Sequence, residues 1–157
     1  MKPNYFTAKR IQILITTTVL ILIFTSYYFF TISQKDTPNK TINMTFETLE
    51  IMRTEEEKGQ GLMDRQEICY NCGMIFVWDK PQVLSFWMKN TYVNIDIIFI
   101  DQDNRVQTVI KNPPTNNSDT TYSSVVEVTK ALEIPTKRSS DLNIKVGDKL
   151  QLNLDIK

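Results

Sequence analysis

The chain has 157 residues, 41% of them hydrophobic, with 18 basic and 18 acidic side chains and no histidine. That length admits one domain plus a short extra segment, and an acidic domain over residues 36–157 with no basic stripe argues against nucleic-acid binding through phosphate neutralisation. Without histidine, Ser-His-Asp or Cys-His catalysis and histidine-ligated zinc are excluded within the chain, so acid–base chemistry falls to carboxylates, Lys, Tyr or Cys.

Charge is unevenly distributed. Residues 1–35 carry Lys2, Lys9, Arg10 and Lys35 and no acid, whereas the rest carries the other 14 basic and all 18 acidic side chains, a net charge of −4. Residues 11–32 are uncharged. As a helix rising about 1.5 Å per residue they would cover a hydrocarbon core of roughly 30 Å. Tyr27, Tyr28, Phe29 and Phe30 stand at the far end, where an aromatic belt meets the headgroups, and Lys9 and Arg10 flank the near end as cytoplasmic anchors. The expected organisation is therefore a cytoplasmic N-terminus over residues 1–10, one transmembrane helix over 11–32, a polar linker over 33–40 containing Pro38, and an extracytoplasmic domain over 41–157. A cleaved signal peptide is the alternative. It would have a shorter apolar core, roughly 7–15 residues, followed by small residues rather than aromatics.

In the outer domain, Ile42, Met44 and Phe46 alternate with polar residues as in a half-buried strand, and the phase then slips to Leu49 and Ile51 at a bulge or strand end. Thr54 followed by Glu57 forms a capping-box signature for a helix that Gly59 and Gly61 keep short. Residues 69–73 read as a turn, 74–78 as a strand broken by Asp79-Lys80-Pro81, and 83–89 as another strand. Residues 95–100 are almost continuously apolar, as in a strand buried on both faces, and Asp101 to Asn104 turn the chain back into an antiparallel strand over 105–110. Residues 112–121 and 135–141 read as loops, with strand character at 125–128 and 131–134. After the turn at 145–148, Leu150, Leu152, Leu154 and Ile156 alternate cleanly. The predicted fold is mainly β: a small antiparallel β-sandwich or barrel with one short helix.

Four blocks occur in order: Gly61-Leu62-Met63-Asp64-Arg65, Gly73-Met74-Ile75-Phe76, Phe86-Trp87-Met88-Lys89-Asn90-Thr91 and Ile95-Asp96-Ile97-Ile98-Phe99-Ile100-Asp101. From about Met44 to Leu154 the chain closely resembles the domain-of-unknown-function family numbered 192. The resemblance implies a small β domain and no established activity. Asn94-Ile95 stand where that family commonly has Pro-Leu before its buried-strand Asp, and Leu132-Glu133 lead into Ile134-Pro135 where a glycine turn often follows.

Cys69 and Cys72 are the only cysteines. Outside the cytoplasm a turn-stapling disulfide is the expected state. A metal pair and a redox-active pair are the alternatives, although a strand rather than a helix follows Cys72 and two thiolates half-ligate a zinc. Asp96, set in an apolar strand, needs a partner, and Lys89, Arg65 and Asn90 are the candidates. These residues form either a structural latch or, with Trp87, a recessed patch. Arg65, Trp87, Lys89, Asn90 and Asp96 are accordingly the candidate ligand-binding set. Trp78, Trp87, Met63, Met74 and Met88 read as core or as an adaptable groove, and Glu127 with Glu133 as solvated positions or a carboxylate pair. The resulting expectation is a membrane-tethered, non-enzymatic module that binds a small molecule, glycan or peptide without cofactor or metal. An envelope hydrolase or thiol oxidoreductase is the alternative.

Overall fold

A computed structural model of the chain describes residues 15–27 and 39–154. The chain divides into two compact units, Met1–Pro38 and Asn39–Lys157. In the first, residues 15–27 form helix α1, and every one of them is exposed. Two of its threonines bond back into the helix: the Thr18 and Thr25 hydroxyls donate to the carbonyls of Ile15 and Leu22 at 2.9 and 3.0 Å. At about 1.5 Å per residue α1 is roughly 20 Å long. Among the described residues no helix is long and apolar enough to cross a membrane. The remainder of the expected span, 11–14 and 28–32, lies outside the described residues, as do the N-terminal segment 1–10 and most of the linker.

Among its described residues, the second unit is built from nine strands and two short helices. Strand β1 (Thr41–Phe46) buries Ile42, Met44 and Phe46 on alternate positions. It ends where the phase slips, and β2 (Thr48–Met52) follows. Helix α2 (Glu55–Gln60) leads through a loop to β3 (Cys72–Gln82), then β4 (Ser85–Met88), β5 (Ile95–Ile100) and β6 (Val106–Ile110). Strand β7 (Asn117–Ser123), β8 (Val128–Pro135), helix α3 (Thr136–Leu142) and β9 (Lys149–Leu154) complete the unit. A five-stranded sheet, in the order β2-β3-β8-β5-β6, lies between two ribbons, β1-β9 and β4-β7.

Each ribbon covers one face of the central sheet. Ile75, Ile98, Ile100, Leu132 and Ile134 pack with Ile42, Met44, Phe46 and Leu150 of β1-β9. Met74, Phe76, Ile97, Phe99 and Ala131 pack with Leu62 and with Met88 of β4. Covering both faces explains why β5 is apolar at every position but Asp96 and why its six residues are all buried.

The architecture is mainly β as expected, but the sheets are open and mixed rather than antiparallel: β1 pairs β9 and β2 pairs β3 in parallel. Apolar alternation reports which face is buried and not strand direction. The long connection through α2 is what allows β2 and β3 to run the same way. Strand β3 continues through Pro81, which lies beyond the last β2 partner at Phe76 and within the stretch from Val77 to Gln82 where the pairing with β8 is irregular, a place that tolerates a residue without an N–H. Residues 112–121 contain most of β7, and 135–141 form α3 rather than a loop. The buried residues of α3 are Arg138 and Ser139, and Leu142 alone packs an apolar side chain against the core, too little for an apolar periodicity to read.

Candidate functional site

The second unit contains a cleft of about 350 Å³ between α2, the loop that follows it, β3 and β4. The α2 wall is fixed by local chemistry. Thr54 Oγ1 accepts from the Glu57 amide at 3.2 Å, and Glu57 Oε2 accepts from the Thr54 and Arg53 amides at 2.9 and 2.8 Å. These backbone donors hold the Glu57 carboxyl below its ordinary value. At the other end Gly61 has φ 46°, and a β-carbon there would come within 3.4 Å of the Phe76 ring. The loop then rounds Leu62 and is tied to the end of β4 by the Asp64 amide, which donates to the Asn90 carbonyl at 2.7 Å.

Aromatic rings form the opposite walls. Phe76, Trp78, Phe86 and Trp87 line the cleft. Phe76 and Phe86 meet edge-to-face at 4.9 Å, and Phe86 rests in turn on Phe99 at 5.6 Å. Trp87 is 48% exposed. The Lys58 ammonium lies 4.4 Å above the Trp78 ring and 2.9 Å from Glu55, and that of Lys89 lies 5.4 Å from the Trp87 ring centre.

Glu133 of β8 lies in the floor of this cleft. Its register partners are Met74 and Ile97, which belong to the cluster beneath the cleft. It is 4% exposed, and its Oε2 has no hydrogen-bond partner. Burial in this apolar setting raises the carboxyl to about 8. Near neutral pH it is thus mostly a neutral acid, able to donate one hydrogen bond and accept others.

Of the five residues expected to bind ligand, Trp87 lines this cleft. Lys89 is exposed beyond the end of β4, and Asn90 is a left-handed residue (φ 50°) at the turn that follows. Arg65 grips Glu50 with both guanidinium nitrogens, one at 2.7 Å, which raises the Arg65 guanidinium further. It lines a second cavity, of about 430 Å³, together with Cys69 and Cys72. Asp96 is fully buried and accepts from the Asn112 amide at 3.0 Å rather than from Lys89, Arg65 or Asn90. The reason is sheet alternation: Asp96 shares a face with Ile98 and Ile100, toward β1-β9, whereas β4 covers the other face.

Cys69 and Cys72 form a disulfide across their turn, with Cα atoms 5.1 Å apart. Both thiols are therefore withdrawn from ligation, and among the described residues no group of three or more His, Cys, Asp or Glu side chains is placed to hold a metal. Glu127 is exposed and does not line the cleft, so it forms no pair with Glu133 there. Sequence reasoning weighed Glu133 only as half of that pair. The signal that singles it out is its place between Leu132 and Ile134 in a strand with buried neighbours on both sides.

The family model described as DUF192, Uncharacterized ACR, matches residues 35–152. No curated protein matches the chain. Two solved structures are similar. One is a protein of unknown function from Novosphingobium aromaticivorans DSM 12444, 36% identical, with TM-score 0.62 over 66% of this chain and 73% of that one. The other is described as a candidate transcription regulator from Sinorhizobium meliloti 1021. It is 29% identical, with TM-score 0.61 over 64% of this chain and 78% of that one.

Proposed function

We propose that this chain, which belongs to the DUF192 family, is a binding module that takes a small organic ligand into the aromatic cleft above Glu133. The carrying observation is the Glu133 carboxyl: buried, unpartnered at Oε2 and lining the cleft. A buried polar atom left without a partner costs on the order of 1–3 kcal/mol, and a ligand that supplies one recovers that cost on binding. An apolar concavity of a few hundred Å³ with a few convergent polar groups is the ordinary form of a small-molecule site. Enzymatic readings have less support. Among the described residues the other carboxylate lining the cleft is Glu55, whose side chain is 88% exposed and already paired with Lys58. The cysteine pair opens a strand rather than a helix, which deprives it of the dipole that acidifies redox thiols.

Thermal unfolding of the full-length chain against a library of small envelope metabolites tests this reading. A ligand at a hundred times its Kd adds about 2.7 kcal/mol of stability. The expected result is a rise in Tm with at least one compound, reduced in Trp87→Ala. A hit whose effect is undiminished in Trp87→Ala places binding elsewhere and refutes the reading.

The module is proposed to act outside the cytoplasm, tethered by the uncharged segment 11–32. Two observations support this. The Cys69–Cys72 disulfide belongs to an oxidising compartment. Helix α1 also exposes apolar side chains all round, among them Leu20 at 65%, Leu22 at 66% and Phe24 at 69%, a pattern that requires an apolar surrounding. Protease added to intact cells should degrade the domain, and alkaline carbonate should leave the chain in the membrane pellet. Recovery in the soluble fraction with both sulfurs reduced overturns it.

A further inference from the structure

The binding reading leaves open what the cleft accepts, and its charges and hydrogen-bonding groups narrow the answer. Organic cations are disfavoured, because a lysine ammonium already lies against each tryptophan: Lys58 over Trp78 and Lys89 by Trp87. A cation arriving at either indole meets a like charge within a few ångströms, which an uncharged ligand does not. Anions fare no better. Among the described residues the cation lining the cleft is Lys58, which is held by Glu55 at 2.9 Å and whose side chain is only 10% exposed.

The remaining polar groups around the cleft are uncharged. Gln60, Ser85, Thr91 and Thr121 line it. The Ser85 hydroxyl is 2.7 Å from that of Ser123, so one of its lone pairs or its proton is left for a ligand. Glu133 is neutral through most of the physiological range and presents both a donor and an acceptor. Each of these groups suits a hydroxyl, which itself both donates and accepts.

Resting on the binding reading above, we infer that the ligand is an uncharged saccharide ring, its apolar face on Trp87 and its hydroxyls turned to Glu133 and the hydroxyl-bearing rim. A pyranose has this two-sided character: axial C–H groups make one face apolar, while hydroxyls ring the edge. At about 350 Å³ the cleft admits a residue or two of a glycan rather than a long chain. The half-exposed Trp87 supplies the platform at the mouth, where a ring can stack without the core opening.

The test is calorimetric titration of the full-length chain, held in a detergent without a sugar headgroup. The probes are N-acetylglucosamine, cellobiose and maltose, with choline, glucuronate and indole as charged and aromatic controls. The expected result is saturable binding of at least one neutral saccharide, weakened at least tenfold by Trp87→Ala and by Glu133→Ala. Glu133→Gln, whose amide also donates and accepts, should retain binding. It should also abolish the weakening that the native chain shows as pH rises from 7 to 9. Trp87 is a surface residue, so its variant folds even if those at Glu133 do not. Binding confined to choline, glucuronate or indole overturns the saccharide class while leaving a small-ligand site. Saccharide binding indifferent to Trp87→Ala overturns the assignment to this cleft. No binding by any probe overturns the saccharide class, and the metabolite screen then decides the broader reading independently.

Discussion

Glu133 is the residue with the most to reveal about the interior. Its carboxyl is raised to about 8 by burial, against an ordinary value of 4.5. The folded state therefore binds the proton more tightly than the unfolded chain does. Its contribution is fully favourable below the unfolded value and is lost as pH rises from about 4.5 to about 8, after which it is constant. The slope in that window approaches about −1.4 kcal/mol per pH unit. Glu133→Gln cannot ionise, so its denaturation midpoint should be nearly flat across the window and should exceed that of the native chain at pH 9. Parallel curves for the two proteins would falsify the claim that Glu133 is buried without a partner. Arg65 offers the contrasting case. Its pair with Glu50 is partly exposed, at 40% and 33% of the two side chains, and Arg65→Ala should cost only about 0.5–1 kcal/mol in urea unfolding. A carboxylate within an apolar strand is visible in the sequence at Asp96 and equally at Glu133. Which face each one occupies, and so which of them reaches the cleft, depends on strands far away in sequence.

At the level of elements, what was legible was local. The capping box at Thr54 and Glu57, the alternation in β1 and the almost continuous apolar run of β5 all follow from spacings within a few residues, and all three are present. Strand direction, the continuation of β3 through Pro81 and the largely polar α3 depend on partners distant in the chain and are not legible from local spacing. Two substitutions probe elements that shape the cleft. Thr54→Ala removes the acceptor for the Glu57 amide and should destabilise by about 1 kcal/mol, with little change elsewhere, because α2 buries none of its own residues. Gly73→Ala should be worse. A β-carbon there would stand 2.7 Å from Phe46 Cε1, 3.1 Å from Ile134 Cγ2 and 3.3 Å from the Glu133 carbonyl. Those atoms belong to packed strands, so the expected loss is about 1–3 kcal/mol, read as a lowered urea midpoint with an unchanged m-value.

For the whole molecule, the parallel pairing of β1 with β9 joins the beginning of the second unit to its end. Strand β9 is the only strand partner of β1 in the sheets, from Thr41–Lys149 to Phe46–Leu154. It is also fastened to the β5–β6 turn, where the Leu150 amide donates to the Asn104 carbonyl at 2.8 Å and Arg105 bridges Lys149. Removing residues 149–157 would strip the backbone partners from β1 and uncover Ile42, Met44 and Phe46, which are at most 6% exposed. Burying side chains of this kind contributes about 1.5–3 kcal/mol each, comparable in sum with the entire stability of a small domain. The truncated chain should therefore lose its cooperative thermal transition. Deletion of residues 1–38 is the matched experiment. It removes the first unit and leaves every strand of the second, so a chain beginning at Asn39 should unfold cooperatively at a Tm close to that of the full-length protein. Circular dichroism melts of both truncations decide the matter. If the N-terminal deletion unfolds and the C-terminal one does not, the core is not closed by the β1–β9 ribbon.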